Sequence, residues 1–564
     1  MDTGENQRRK LRACSPRNGF VAGVFGTMWM GILLAFLLEA NGAPKPPKVR
    51  VTISKETTYI TEPLRADGYP DYAAALNQRL AQGVTPENNS AVLFWEAMGP
   101  KKIDAKIRAE YFRRLGVPVL PEEGQYFQGF REYAASLAKQ GGLNLSEEKI
   151  EHIYKQVQES PWEAEEFPMV AQWLQANEKP LALIIQASQR PRRYDPLVVS
   201  RLLEGEPEML VAALLPAASH MREAVQAMQI RAMHRLGQGK AAEAWQEILT
   251  MYRLARLMAQ GATLIENLVA VAIETQACQA AQRLAREGNL SAKEALAIRD
   301  TLVGLPPLPT MADKIDLGER FMYLDVVCTL ARTPGTSFRL LEALEGGQSG
   351  LAGWAKRLAD LLATAAGQMI DWDLLLRMGN QWYDRLVEAG RKPTPQERAE
   401  ALASIDAQLQ QLKSKTEDPT ALVFGMFSAP RQKVSEQLGH VLIALLVPAI
   451  RHVYVAEDRA AMQRQLTICS FALAAYQAEQ GRYPKQLEEL VPRYLAAVPM
   501  DAFAPQKPLI YRRTEEGVIL YSVGPNGKDD GGRSLDCPAS EDQREGDDLV
   551  LRMQTPSSPG PKQK

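Results

Sequence analysis

Gly19 to Leu38, GFVAGVFGTMWMGILLAFLL, is an apolar run without a single charge. A helix needs about 20 such residues to cross a bilayer, because every backbone polar group must be satisfied inside the hydrocarbon. Arg8, Arg9, Lys10, Arg12 and Arg17 precede the run, and Lys45, Lys48 and Arg50 follow it. This basic bias places the N-terminus in the cytoplasm and the bulk of the chain outside it. A cleaved signal peptide is the rival. Its apolar core is usually about 7–15 residues, and cleavage after Ala43 would put Asn41 at −3 and Pro44 at +1. An uncleaved single-pass anchor in a bacterial inner membrane is the expectation. Gly19, Gly23, Thr27, Gly31 and Ala35 recur every fourth residue along it. That small-residue stripe either pairs two membrane helices or reflects the ordinary glycine content of such helices.

With 564 residues the chain exceeds what one core usually serves, and about two to four domains are expected. The net charge of −1 lacks the basic footprint of a nucleic-acid binder. Residues 1–18 read as a basic cytoplasmic tail, 19–38 as the transmembrane helix and 39–68 as a linker. Within that linker APKPPK is stiff, and VTISKETTYITEP alternates as one or two short strands would.

From about Tyr69 the pattern is helical for nearly 400 residues, so 69–430 reads as an irregular array of helical hairpins. Thr85-Pro86 looks like a cap with proline at the first helical position. Ser291 with Glu294 and Thr394 with Glu397 fit capping boxes. Trp245, Ile248, Leu249, Tyr252 and Ala255 trace one apolar face. GQGK, QGAT and EGNLS separate successive helices. Arg231 to Arg256 is similar to a tetratricopeptide helix pair, but no copy recurs at the required 34-residue period.

Chemistry is hard to find. The five histidines, His152, His220, His234, His440 and His452, have no zinc-ligand spacing. HExxH, the phosphate loop, GxGxxG and GxSxG are all missing. Cys14, Cys278, Cys328, Cys469 and Cys537 have no CxxC spacing; the four beyond Cys14 could pair outside the cytoplasm, but buried thiols are the expectation. No enzymatic activity is expected, although acids brought together from distant positions would escape a motif search.

Residues 431–552 read as a separate module with a helix and short strands, and 553–564 as a tail too poor in apolar residues to fold. Val441 to Val447 is too short to span a membrane and should be buried, with Pro448 kinking the helix. Met462, Leu466, Cys469, Leu473 and Tyr476 then alternate steps of four and three along one stripe. Gly481 and Pro484 end that helix. KPLIYRR and GVILYSV form a hairpin around TEEG. The stretch YSVGPNGKDDGG and the later GDDL bring Asn526, Asp529, Asp530, Asp547 and Asp548 into one loop region. Four carboxylates together repel unless a cation neutralises them, and calcium takes six to eight oxygens. A solvated acidic loop is the plain alternative.

ALAAYQAEQGRYP, LEELVPRYLAAVPMDAF, YSVGPNG and DDGG, in that order, resemble the C-terminal part of the major pseudopilin of bacterial type II secretion systems. The resemblance covers Val441 to Val550 and implies a long helix packed on a small sheet, with calcium held by the aspartate loop. Asp501 and Phe503 match a common Asp-Pro-Phe in which Ala502 here replaces the proline. The expected fold is therefore mainly α: a transmembrane helix, a helical-hairpin array and a small α+β pseudopilin-like domain. A processed pilin carries glutamate at the fifth mature position. Counting from Phe20, that residue is Val24. The expected function is a membrane-anchored, non-enzymatic structural or protein-interaction protein of the bacterial envelope. An accessory role in a type II secretion or pilus-like machine and an exported hydrolase are the alternatives.

Overall fold

The computed structural model describes residues 51–139, 146–201, 208–332, 370–416, 431–447, 450–534 and 546–554. The apolar run Gly19–Leu38, its flanks and the tail lie outside these residues. None of the described helices is long and apolar enough to cross a membrane.

The described residues are mainly helical, with two small sheets. The first half carries α1 (Tyr72–Ala81), α2 (Ser90–Met98), α3 (Ala105–Leu115), α4 (Phe130–Lys139), α5 (Glu147–Glu159), α6 (Pro168–Ala176) and α7 (Glu178–Gln189). An antiparallel pair, β1 (Val198–Arg201) and β2 (Glu208–Leu214), follows. Next come α8 (Pro216–Gly237), α9 (Ala241–Met258), α10 (Leu264–Glu287), α11 (Ala292–Gly304) and the short α12 (Met311–Lys314). Ile315–Glu319 winds as a π turn into α13 (Arg320–Arg332). The second half adds α14 (Trp372–Gly390), α15 (Pro395–Thr416), α16 (Arg431–Leu446) and α17 (Ile450–Gln480). An antiparallel meander closes the chain: β3 (Ile510–Thr514), β4 (Gly517–Ser522) and β5 (Leu549–Gln554).

Local chemistry explains many of these boundaries. The boxes at Ser291/Glu294 and Thr394/Glu397 form as expected, and Thr263 with Glu266 makes another at the start of α10. Each satisfies two backbone donors that a helix start leaves open. The Thr85-Pro86 start does not form: Asn89 caps α2, its side chain accepting from Ala91 N–H. Residues 51–63 are turns instead of strands. There the Thr57 and Thr58 hydroxyls bond to main-chain oxygens at Thr52, Ser54 and Ile60. Such local bonds compete with a strand ladder. The β1–β2 pair interrupts what read as continuous helix, and it is held because Asp325 accepts from Leu210 N–H at 2.7 Å and pairs with Arg65.

Among the described residues two hydrophobic clusters form. The first gathers α2 to α11, the C-terminal half of α17 and the β3–β5 sheet. The second gathers the N-terminal loop, β2, α13 to α16 and the start of α17. The stripe Met462, Leu466, Cys469, Leu473 and Tyr476 is buried, and so is Val441 to Ala444. From Leu466 to Tyr476 every residue of α17 except Ile468 is buried. The helix lies along α10 and α11 on one side and against β5 on another. Contacts therefore cross the boundary placed near residue 430, since α16 also packs on α14 and α15. Cys278, Cys328 and Cys469 are buried free thiols, as expected; Cys14 and Cys537 lie outside the described residues.

Charge fastens α17 to the array. Glu274 on α10 accepts two hydrogen bonds from Arg256 on α9, at 2.7 and 3.2 Å. Arg464 on α17 approaches the same carboxylate at 3.8 Å. It also donates to the carbonyls of Leu302 and Leu305 at the end of α11, at 2.7 and 2.5 Å. Removing one member of a buried set leaves the others charged and uncompensated, which costs about 3–5 kcal/mol. Glu274→Ala is expected to lose that much in denaturant unfolding, whereas Glu287→Ala, which removes an exposed partner of Arg283, should stay within about 0.5 kcal/mol.

Glu457 on α17 accepts from Met311 N–H at 3.0 Å and so caps α12. Burial pushes its carboxyl up to about 7. A carboxyl raised on folding resists ionisation, so its contribution to stability falls as pH rises from the unfolded value toward the folded one. Glu457→Gln keeps an acceptor for Met311 without the charge. Its stability relative to wild type should improve between about pH 5 and about pH 8; a pH-independent difference would contradict the assignment.

Candidate functional site

The loop after β4 is where the sequence concentrates its acids, and Asp501 sets its starting point. Asp501 is buried and accepts from the Ser522 hydroxyl at 2.7 Å, from Val523 N–H at 2.9 Å and from Phe503 N–H at 2.9 Å. It thereby ties the end of β4 to the connector from α17. Gly524 follows at φ +68°, where a Cβ would sit 2.0 Å from the Asp547 carbonyl oxygen. Only glycine allows both that φ and that approach.

The two acidic stretches then interlock. Asp530 accepts from the Asn526 side-chain amide at 3.0 Å and from Asp547 N–H at 2.8 Å. Asp547 accepts from Asn526 N–H at 3.1 Å. Asp548 is fully buried and accepts from Gly532 N–H at 2.7 Å and Asp530 N–H at 3.3 Å. Four of the five expected residues therefore meet. Asp529 turns aside, accepting from the Tyr521 hydroxyl at 3.0 Å and pairing with Arg512 at 3.3 Å. The backbone donor from Asp547 holds the Asp530 carboxyl below its usual range, whereas burial raises Asp548.

Cationic side chains also meet this cluster. Arg459, from α17, reaches Asp547 at 2.6 Å, and Arg512 lies over the Tyr521 ring at 5.3 Å. Sequence reasoning missed both arginines, since nothing in the loop points to a partner 88 residues away. The donor set suits calcium in its chemistry, being hard carboxylate oxygen. Among the described residues no group of three His, Cys, Asp or Glu side chains that could hold a metal ion is formed. The carboxylates are occupied by N–H donors and arginine. Such a set can close a loop and accept hydrogen bonds, and it contains no paired nucleophile and base.

No protein-family model, curated protein or solved structure matches this chain.

Losing a buried acceptor that serves two backbone donors costs about 1–3 kcal/mol per group left unsatisfied. Asp548→Ala should therefore lower the unfolding free energy by roughly 2 kcal/mol or more. Asp529→Ala, at a half-exposed position, should cost clearly less. Equal losses in chemical denaturation would show that the interlock carries no weight.

Proposed function

We propose that this chain is a membrane-anchored, non-enzymatic structural or protein-interaction protein of the bacterial envelope. In this reading its helical array and a pseudopilin-like module act as one body. The observation that carries it is the burial of α17 between α10, α11 and the β3–β5 sheet. A helix covered on these sides is a packing element, and its apolar stripe is spent within the chain. The anchor is Gly19–Leu38, with the N-terminus cytoplasmic and the remainder outside, and self-association runs through Gly19, Gly23, Thr27, Gly31 and Ala35. The second reading, an accessory component of a type II secretion or pilus-like machine, draws on the order GRYP, YSVGPNG and DDGG; an exported hydrolase is the third.

Calcium enters this reading through the clustered carboxylates and through the resemblance. Asp530, Asp547, Asp548 and the Asn526 side-chain oxygen would hold it, in competition with Arg459 and the Asn526 amide. A ligand that binds only the folded form raises its stability by mass action. Millimolar calcium is expected to raise the unfolding midpoint of the full chain, and the double variant Asp547→Ala, Asp548→Ala should abolish the shift. An unchanged midpoint in wild type removes calcium and leaves the arginines as the neutralising groups.

The functional reading is tested in membranes. A reporter fused after Lys564 should be active only when it works outside the cytoplasm, and detergent-solubilised protein should bring down envelope partners. Cytoplasmic reporter activity would overturn the topology. Recovery of secretion components would favour the second reading over the first.

A further inference from the structure

A cleft of about 610 Å3 opens where the N-terminal loop, the π turn and the end of α14 meet. Its size falls within the range of small-ligand sites, about 300–1,000 Å3. Tyr59, Asp316, Arg320, Asp384, Glu388, Arg391 and Lys392 line it.

Two backbone irregularities converge there. Tyr59 has φ +64°, a left-handed conformation that a bulky residue rarely adopts. Ile315–Glu319 departs from α geometry as a π turn and carries Asp316. Both kinds of departure are found disproportionately at functional sites.

The charges divide into an inner and an outer set. Arg320 is inner, with 2% of its side chain exposed. Its guanidinium reaches Asp316 and Asp384, each at 2.8 Å, and stacks 4.3 Å from the Tyr59 ring centre. It is committed to organising the walls. The outer set is accessible: Asp384 and Glu388 are 66% and 78% exposed, Arg391 and Lys392 are 55% and 44% exposed. Apart from Asp384, which pairs with Arg320 at 2.8 Å, they make only long pairs. Arg391 lies 3.3 Å from Asp313 and 3.6 Å from Asp316, and Lys392 lies 3.9 Å from Glu388. Charge-assisted hydrogen bonds are nearer about 2.7–2.9 Å, so Glu388, Arg391 and Lys392 are available to a better partner, and Asp384, which already holds Arg320, keeps most of its side chain open to a second one.

Their order along the chain selects that partner. The acids stand one helical turn apart on α14, and the bases follow directly after its last residue, Gly390. At about 1.5 Å per residue, Asp384 and Arg391 are separated by roughly 10 Å along the axis. An extended tripeptide spans about 10 Å. A purely anionic or purely cationic ligand would meet like charge at one end.

We propose that this cleft binds a short peptide with free ends. Its ammonium sits at Asp384 and Glu388, and its carboxylate at Arg391 and Lys392. Val387 and Pro393 supply the apolar part of the wall for small side chains.

The test is calorimetric titration of the full chain with trialanine bearing free termini. The same peptide N-acetylated and C-amidated is the control. Saturable binding of the free peptide is expected, at least tenfold weaker for the blocked one. The double variant Glu388→Gln, Lys392→Gln should also weaken it at least tenfold. Both side chains are exposed and stand apart from the Arg320 network, so the variant should fold; an unchanged thermal midpoint without peptide checks this. Equal binding of free and blocked peptides, an unaffected double variant, or no heat up to about 10 mM peptide, far above the Kd of a usable site, would each overturn the proposal.

Discussion

Within α17, 31 residues long, the stretch Leu466 to Tyr476 is buried on almost every side, and a helix segment of that kind must be surrounded. A helix of that kind is stable only inside a protein or a membrane. Here Val453, Tyr454 and Ala460 enter one hydrophobic cluster, and Met462 to Tyr476 enter the other. The two halves of the molecule are thus built on one continuous rod. Thr467 and Ser470 are buried within it without loss, because Thr467 accepts from Gln282 and Ser470 donates back to the Thr467 carbonyl.

Around that rod, buried charge does the positioning that apolar contact cannot. Hydrophobic burial is non-directional, so it leaves the axial register of α17 against α10 and α11 open. Arg464, reaching both Glu274 and the last carbonyls of α11, specifies that register. In the second hydrophobic cluster Asn380 on α14 plays a comparable part. It donates to the Glu56 and Thr57 carbonyls and accepts from Arg320, fixing the N-terminal loop against α13 and α14.

Periodicity made the helices legible. The stripes on α9 and α17, the capping boxes and the stop at Gly481 follow from local rules, and the structure contains them. The β3–β4 hairpin was equally readable from two short runs around Glu515-Glu516. The β1–β2 pair was not, because a six-residue apolar run such as MLVAAL suits a buried helix or a strand equally well. The turn Val51–Pro63 misled through its threonines, which favour strands when their hydroxyls are free and turns when they bond locally. For the acidic loop, glycine and aspartate spacing predicted the meeting of Asn526, Asp529, Asp530, Asp547 and Asp548, of which Asp529 goes instead to Tyr521 and Arg512. That spacing had no means of predicting Arg459, whose approach depends on where α17 passes. The cleft at Arg320 was invisible for the same reason, being assembled from three segments that meet only in the fold.

On this packing α17 makes the helical array and the C-terminal sheet one cooperative unit. Native-state hydrogen exchange on the full chain addresses it directly, since it resolves opening free energies along the sequence. The account predicts that amides in the middle of α17, in α10 and in β4 open with the same free energy and the same denaturant dependence. Exchange of the β3–β5 sheet through a separate, lower-energy opening, with α10 and the start of α17 still protected, would contradict it.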